Sequence, residues 1–150
     1  MAQVSQKKLD KTIESEMFIQ FWESISRLKS TSDVSDFFTD ILTQTEQIML
    51  TKRFMIAILL GRGKRPVEIG QILHVSFSTI GAVASWEKNA KPRTKKIIEM
   101  LVEEGNWGSL LDRFEEIMDK LPPGRGTDWH LAGKEKYQRQ KERSARNSLR

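Results

Sequence analysis

Apolar residues along the 150-residue chain recur at three and four positions, the spacing of amphipathic helices. The chain therefore reads as all-α, with no internal repeat and no strand. A first helix is expected from about Thr12 to Leu28, with Met17, Phe18, Phe21, Trp22, Ile25 and Leu28 on one broad apolar face. Ser32 or Asp33 would cap a second, carrying Val34, Phe37, Phe38, Ile41 and Leu42. Thr43 with Glu46 three residues on makes a capping box for a third. That helix (Ile48, Met49, Leu50, Phe54, Met55, Ile58, Leu59, Leu60) is apolar round most of its circumference, and Gly61 and Gly63 end it. Pro92 opens a later helix with Ile97, Ile98, Leu101 and Val102, stopped by Gly105. Asn106 would cap another with Trp107, Leu110, Leu111, Phe114, Ile117 and Met118, broken by Leu121-Pro122-Pro123-Gly124-Arg125-Gly126. The expected layout is a flexible N-terminus over 1–12, a helical domain over 13–105 and an additional helix over 106–121. A basic tail over 122–150 follows, flexible or forming a single helix.

Residues 65–89, RPVEIGQILHVSFSTIGAVASWEKN, show a different pattern. Pro66 suits a first helical turn, where its missing N–H costs nothing. Val67, Ile69, Ile72 and Leu73 make one apolar stripe, which His74 and Val75 interrupt. Ser76 can cap a second short helix. Ile80, Val83 and Ala84 would turn inward; Ser78, Thr79, Gly81, Ala82 and Ser85 would turn outward. Two short helices joined by a tight turn, the second with a small polar outer face, form a helix-turn-helix able to enter a DNA major groove. An ordinary helical hairpin shares the pattern, so charge must distinguish them.

The net charge is +5, unevenly spread. From Lys52 to Lys96 ten basic side chains face only Glu68 and Glu87, while residues 1–51 and 97–133 are net acidic and 134–150 net basic. A basic block centred on the helix-turn-helix suits a polyanion, because each phosphate neutralised releases counterions. There is no cysteine, which excludes disulfides and Cys-based zinc sites. The N-terminus has no apolar core of signal-peptide length, and the longest apolar run, Phe54 to Leu60, is too short to span a bilayer, so a soluble, cytoplasmic, nucleoid-associated protein without membrane contact is expected. The two histidines, His74 and His130, fall in a turn and in the tail. No paired carboxylates, metal-ligand spacing or Gly-rich nucleotide loop supports catalysis. No enzyme, cofactor or metal is expected, and Trp22, Trp86 and Trp107 read as core residues.

The run from about Phe38 to Glu104 resembles the Trp repressor family. LTQTEQIMLTKRFMIAILLGRGK is similar to the family's capped long helix ending in a basic Gly loop. HVSFSTI is similar to its turn and the start of its recognition helix. The resemblance implies an interlocked homodimer in which N-terminal helices wrap round the partner. The abundant apolar surface of the first three helices fits this; the alternative cover within one chain is the helix at 106–121. Ligand-responsive members hold an indole between two arginines. Arg53 stands at one position, but Ala82 occupies the other and cannot replace a stacking guanidinium. Tryptophan co-repression is therefore not expected.

These readings give a DNA-binding transcriptional regulator, a repressor by resemblance, with double-stranded DNA and a second copy of itself as partners. Lys64, Arg65, Lys88, Lys91 and Arg93 are the candidates for phosphates. Ser76, Ser78, Thr79, Gly81, Ala82 and Ser85 are the candidates for the groove. None of these groove residues is Arg, Asn or Gln, which make strong bidentate base contacts, so preference would be modest or arise from water and DNA shape. The rival reading is a protein-interaction adaptor that keeps the helix-turn-helix as scaffold.

Overall fold

Short-range hydrogen bonding decides where most helices begin. The computed structural model describes residues 9–121 and 128–148. Among these it contains helices α1 (Lys11–Ser26), α2 (Thr31–Ile41), α3 (Gln44–Gly61), α4 (Pro66–Leu73), α5 (Phe77–Asn89), α6 (Pro92–Glu104), α7 (Gly108–Lys120) and α8 (Trp129–Ser148), and no strand. The all-α class is as expected. Residues 1–8 of the expected N-terminal segment, and the helix breaker after Leu121, lie outside the described residues.

At the head of α3 the Thr43 N–H donates to the Glu46 carboxylate at 2.9 Å, and the Glu46 N–H donates to Thr43 Oγ1 at 3.4 Å. The same device opens α2, but from Ser30 and Asp33, so neither Ser32 nor Asp33 is the cap. Ser30 and Asp33 are three apart and satisfy each other's amides, so the helix starts earlier than expected. Pro66 and Pro92 take the first turns of α4 and α6. Gly63, at φ 73°, makes the left-handed step after α3. Asn106 does not cap α7, which starts at Gly108 with no side-chain cap. Instead the Trp107 ring folds back and its Nε1 donates to the Leu101 carbonyl at 2.8 Å. A Cβ at Gly105 would collide with that ring.

The chain divides into two units, Met1–Leu50 and Thr51–Arg150, with the boundary inside α3. In the first, no described residue is buried. Ile13, Met17, Phe18, Ile19 and Trp22 of α1 are exposed, as are Ile48, Met49 and Leu50 of α3. In the second, Met55, Ile56, Ala57 and Leu59 of α3 form a core with Ile69, Ile80 and Val83. Trp107, Leu110, Leu111 and Phe114 pack on it, which accounts for the apolar face of α7. No single helix among the described residues is long and apolar enough to cross a membrane.

Of the two forms expected for the tail, flexible or a single helix, residues 129–148 take the helix, α8. Asp119 at the end of α7 gathers this helix. Its carboxylate lies 3.5 Å from Arg139 Nη2 and 3.2 Å from Arg143 Nη2, and its carbonyl accepts from Lys136 at 2.9 Å. Residues four apart on a helix share one face, so Arg139 and Arg143 reach the same anion. These cations thus serve packing within the chain.

Candidate nucleic-acid interface

The helix-turn-helix is held by a few buried side chains and one unusual backbone step. Ile69 of α4 is fully buried, and Ile80 of α5 is 2% exposed. His74 closes α4 in the left-handed region, φ 49° and ψ 58°, with its N–H bonded to the Gly70 carbonyl. Val75 N–H donates to the same carbonyl at 3.3 Å. The pair is bent by 120° at this break, within the range typical of the motif.

On α5, Ile80 and Val83 are buried as expected, but Ala84 is exposed. The buried pair sets the inward direction, and Ala84 falls almost a quarter-turn from it. Ser78, Gly81, Ala82 and Ser85 are exposed, and Thr79 is half-buried. Ser76 serves as the cap: its Oγ accepts from the Thr79 N–H at 3.3 Å and lies 2.8 Å from Ser78 Oγ. Nothing lies within 4 Å of a Cβ built on Gly81, so this face is open. Two aromatics absent from the sequence-based site flank it: Phe77 is 64% exposed and Trp86 50%. Trp22 and Trp86, which read as core residues in the sequence, are both exposed; of the three tryptophans so read, only Trp107 packs on the core. The signal for Phe77 and Trp86 was available, since each lies about a quarter-turn from the Ile80–Val83 stripe, on opposite sides.

Cations follow directly. Lys88 lies in the last turn of α5, Lys91 is the N-cap of α6, and Arg93 lies in its first turn. Lys95 Nζ donates to the Lys88 carbonyl at 2.8 Å, which ties the two helices together. Lys88, Lys91, Arg93 and Lys96 are exposed, and among the described residues none of them enters an ion pair. A first turn rich in cations opposes the helix dipole, so this row does not stabilise α6.

Residues 16–102, more than half of the chain, match the family described as Trp repressor protein. The chain belongs to that family. No curated protein and no solved structure matches it. Trp repressor proteins are DNA-binding helix-turn-helix regulators rather than enzymes, and α4–α5 is that motif here. The Trp repressor match begins within α1 and ends within α6, so it includes α5 and the row from Lys88 to Lys96, and excludes α7 and α8. Arg53 on α3 and Ala82 on α5 are both exposed.

The segment outside the Trp repressor match reaches two other candidate phosphate contacts. Lys64 Nζ lies 3.3 Å from Glu115 of α7, with side chains 25% and 8% exposed. Arg65 Nη2 lies 3.1 Å from Glu135 of α8 and 3.5 Å from Glu68. The Arg65 N–H also donates to Glu68 at 2.9 Å, so Glu68 reaches back to satisfy the first amide of α4. Burial acts to raise the Glu68 pKa. The Arg65 backbone N–H, the Arg65 guanidinium and the Lys64 charge outweigh it, and the carboxyl sits below its ordinary value. The structure therefore brings Lys88, Lys91 and Arg93 together with the open face of α5 and gives Lys64 and Arg65 carboxylate partners.

Proposed function

We propose that this Trp repressor-family protein regulates transcription, as a repressor, by laying α5 into the major groove of double-stranded DNA. Lys88, Lys91 and Arg93 would hold the flanking phosphates, with Ser78, Thr79, Gly81, Ala82 and Ser85 against the bases. The observation that carries this reading is the exposed row of cations with no ion pair among the described residues, beside an open helix face at the second limb of a 120° helix pair. Backbone contacts position a protein and base contacts specify a sequence. Ser76 and Thr79 share the cap, and the Asn89 side-chain amide donates to the Ser85 carbonyl at 2.8 Å. The face thus offers few strong base readers, and affinity should exceed discrimination.

A homodimer completes the proposal. Met17, Phe18, Ile19 and Trp22 of α1 and Val34 and Ile41 of α2 are exposed, and obligate dimers bury such faces. Two copies would place two α5 helices about one DNA turn apart and favour a palindromic site. Ala82 at an expected arginine position supports a regulator that does not respond to tryptophan; micromolar heat on titrating L-tryptophan would overturn that part.

The test is fluorescence anisotropy on random-sequence duplex across a salt series. Affinity should fall steeply with salt. Lys88→Ala should weaken every duplex similarly and reduce the log–log slope by about 0.9 per chain. Salt-insensitive binding would overturn the phosphate account. No binding at low salt would favour the adaptor reading instead.

A further inference from the structure

We infer that Glu135 of α8 is a built-in competitor for Arg65, so that α8, packed on α7, restrains the protein's affinity for DNA phosphate. The inference rests on the DNA-binding reading above. Arg65 is the N-cap of α4, the residue that opens the helix-turn-helix. Its guanidinium faces Glu135 through two nitrogens, Nη1 at 3.4 Å and Nη2 at 3.1 Å. Glu68 lies on the same guanidinium at 3.5 Å. A phosphate approaching Arg65 therefore meets two carboxylates, whereas one approaching Lys88, Lys91 or Arg93 meets a cation with no ion pair among the described residues.

The pair is built to exchange. Arg65 and Glu135 side chains are 59% and 39% exposed, and an ion pair in solvent is weak and screened by salt. Both line an open cleft of about 490 Å³ between α4, α7 and α8, which leaves the guanidinium room to change partner. The helix that carries Glu135 does not depend on this contact. Asp119 anchors α8 through Arg139, Arg143 and Lys136. Glu115, 8% exposed at its side chain, pairs with Lys64 and fixes α7 to the same loop. A removed charge from so covered a pair would be costly, so Lys64 is structural and Arg65 is the exchangeable partner. Both contacts come from helices outside the matched family segment. The restraint is thus an addition to the helix-turn-helix.

The experiment uses the full chain with Glu135→Gln, which keeps shape and removes charge. On random duplex at low salt it should bind about twofold to fivefold tighter, the range expected for freeing one exposed ion pair. The salt slope should steepen by about 0.9 per chain, with helicity and melting temperature unchanged. Glu142→Gln alters net charge equally on the same helix without touching Arg65, and should give a clearly smaller gain. Adding Arg65→Gln to Glu135→Gln should abolish the gain. Equal effects of Glu135→Gln and Glu142→Gln, or none from Glu135→Gln while Lys88→Ala still weakens binding, would overturn the restraint alone. If neither wild type nor Glu135→Gln binds duplex at low salt, the DNA reading fails and the restraint fails with it.

Discussion

The stretch up to Leu50 and the stretch after it are both helical and both rich in apolar side chains, yet only the second has an interior. Met17, Phe18 and Trp22 are all more than half exposed, whereas Ile56, Ile58, Leu59 and Ile69 are all at 0%. Ring contacts exist in the first stretch, Phe21 on Trp22 at 4.9 Å and Phe37 on Phe38 at 5.6 Å, but each is between chain neighbours. The difference shows that an apolar face and a core are separate achievements. Periodicity makes the face; a core needs three or more such faces converging, as α3, α4, α5 and α7 do here. The described residues of the first stretch leave apolar faces uncovered, whereas the second packs the helix-turn-helix on a core of its own.

The largest expected effect follows from this contrast. Leu59→Ala should cost about 2–5 kcal/mol, the range for truncating a fully buried side chain, at every protein concentration. Trp22→Ala should instead destabilise in a concentration-dependent way, with the loss growing from near zero in dilute protein to a plateau once both proteins associate, because binding to a second copy stabilises by mass action. Thermal melts over a hundredfold concentration range measure both. A concentration-independent loss at Trp22 would mean that its face is already covered within one chain, and the contrast would collapse.

Two glutamates that reach back to the first amides of their helices sharpen the same comparison at smaller scale. Thr43–Glu46 stands in solvent in the first stretch; in the second Glu68 is buried, while its partner Arg65 is exposed. Both carboxyls lie below their ordinary pKa: Glu46 through its hydrogen bonds from the Thr43 hydroxyl and amide, Glu68 through Arg65 and Lys64 acting against burial. A folded-state pKa depressed below the unfolded value contributes stability above the unfolded pKa. That stability is lost as pH falls through the lower, folded value. Glu68→Gln should cost about 1–2 kcal/mol at neutral pH and flatten the acid limb of melting temperature against pH below about 4.3. Glu46→Gln should do so less. Identical acid limbs for wild type and Glu68→Gln would remove Glu68 from the account.

These elements also mark how far the chain can be read without its fold. Thr43, Pro66, Ser76 and Pro92 were legible because each acts on amides within one turn of itself. The cap of α2, expected at Ser32 or Asp33, lies at Ser30, because Ser30 and Asp33 satisfy each other's amides. Asn106 failed because the Trp107 ring takes the Leu101 carbonyl six residues back, a choice set by packing. The basic block was legible as charge, but its sorting was not. Lys64 meets Glu115 and Arg65 meets Glu135, 51 and 70 residues away in sequence, and no spacing rule connects such positions. Trp22 and Trp86 were assigned to a core because periodicity reveals a face and is silent on what covers it.

The smallest expected effect separates the two uses of α5, as a packed helix and as a reading head. Gly81 sits in the middle of this helix with nothing within 4 Å of a Cβ built on it. Glycine in a helix interior is less favourable than alanine by roughly 0.5–1 kcal/mol. In the free protein, then, Gly81→Ala should raise stability by about that amount, with no rearrangement of Ile80 or Val83 on the opposite side. Had α5 only a scaffolding role, this substitution would be an improvement without cost. If α5 seats closely against base edges, the added methyl group must be accommodated in the groove, and affinity for duplex should fall even as the melting temperature rises. Opposite signs in the two measurements would tie the absence of a side chain at Gly81 to DNA. A gain in stability with unchanged binding would move the contact surface away from the middle of α5 and onto the row of cations from Lys88 to Arg93.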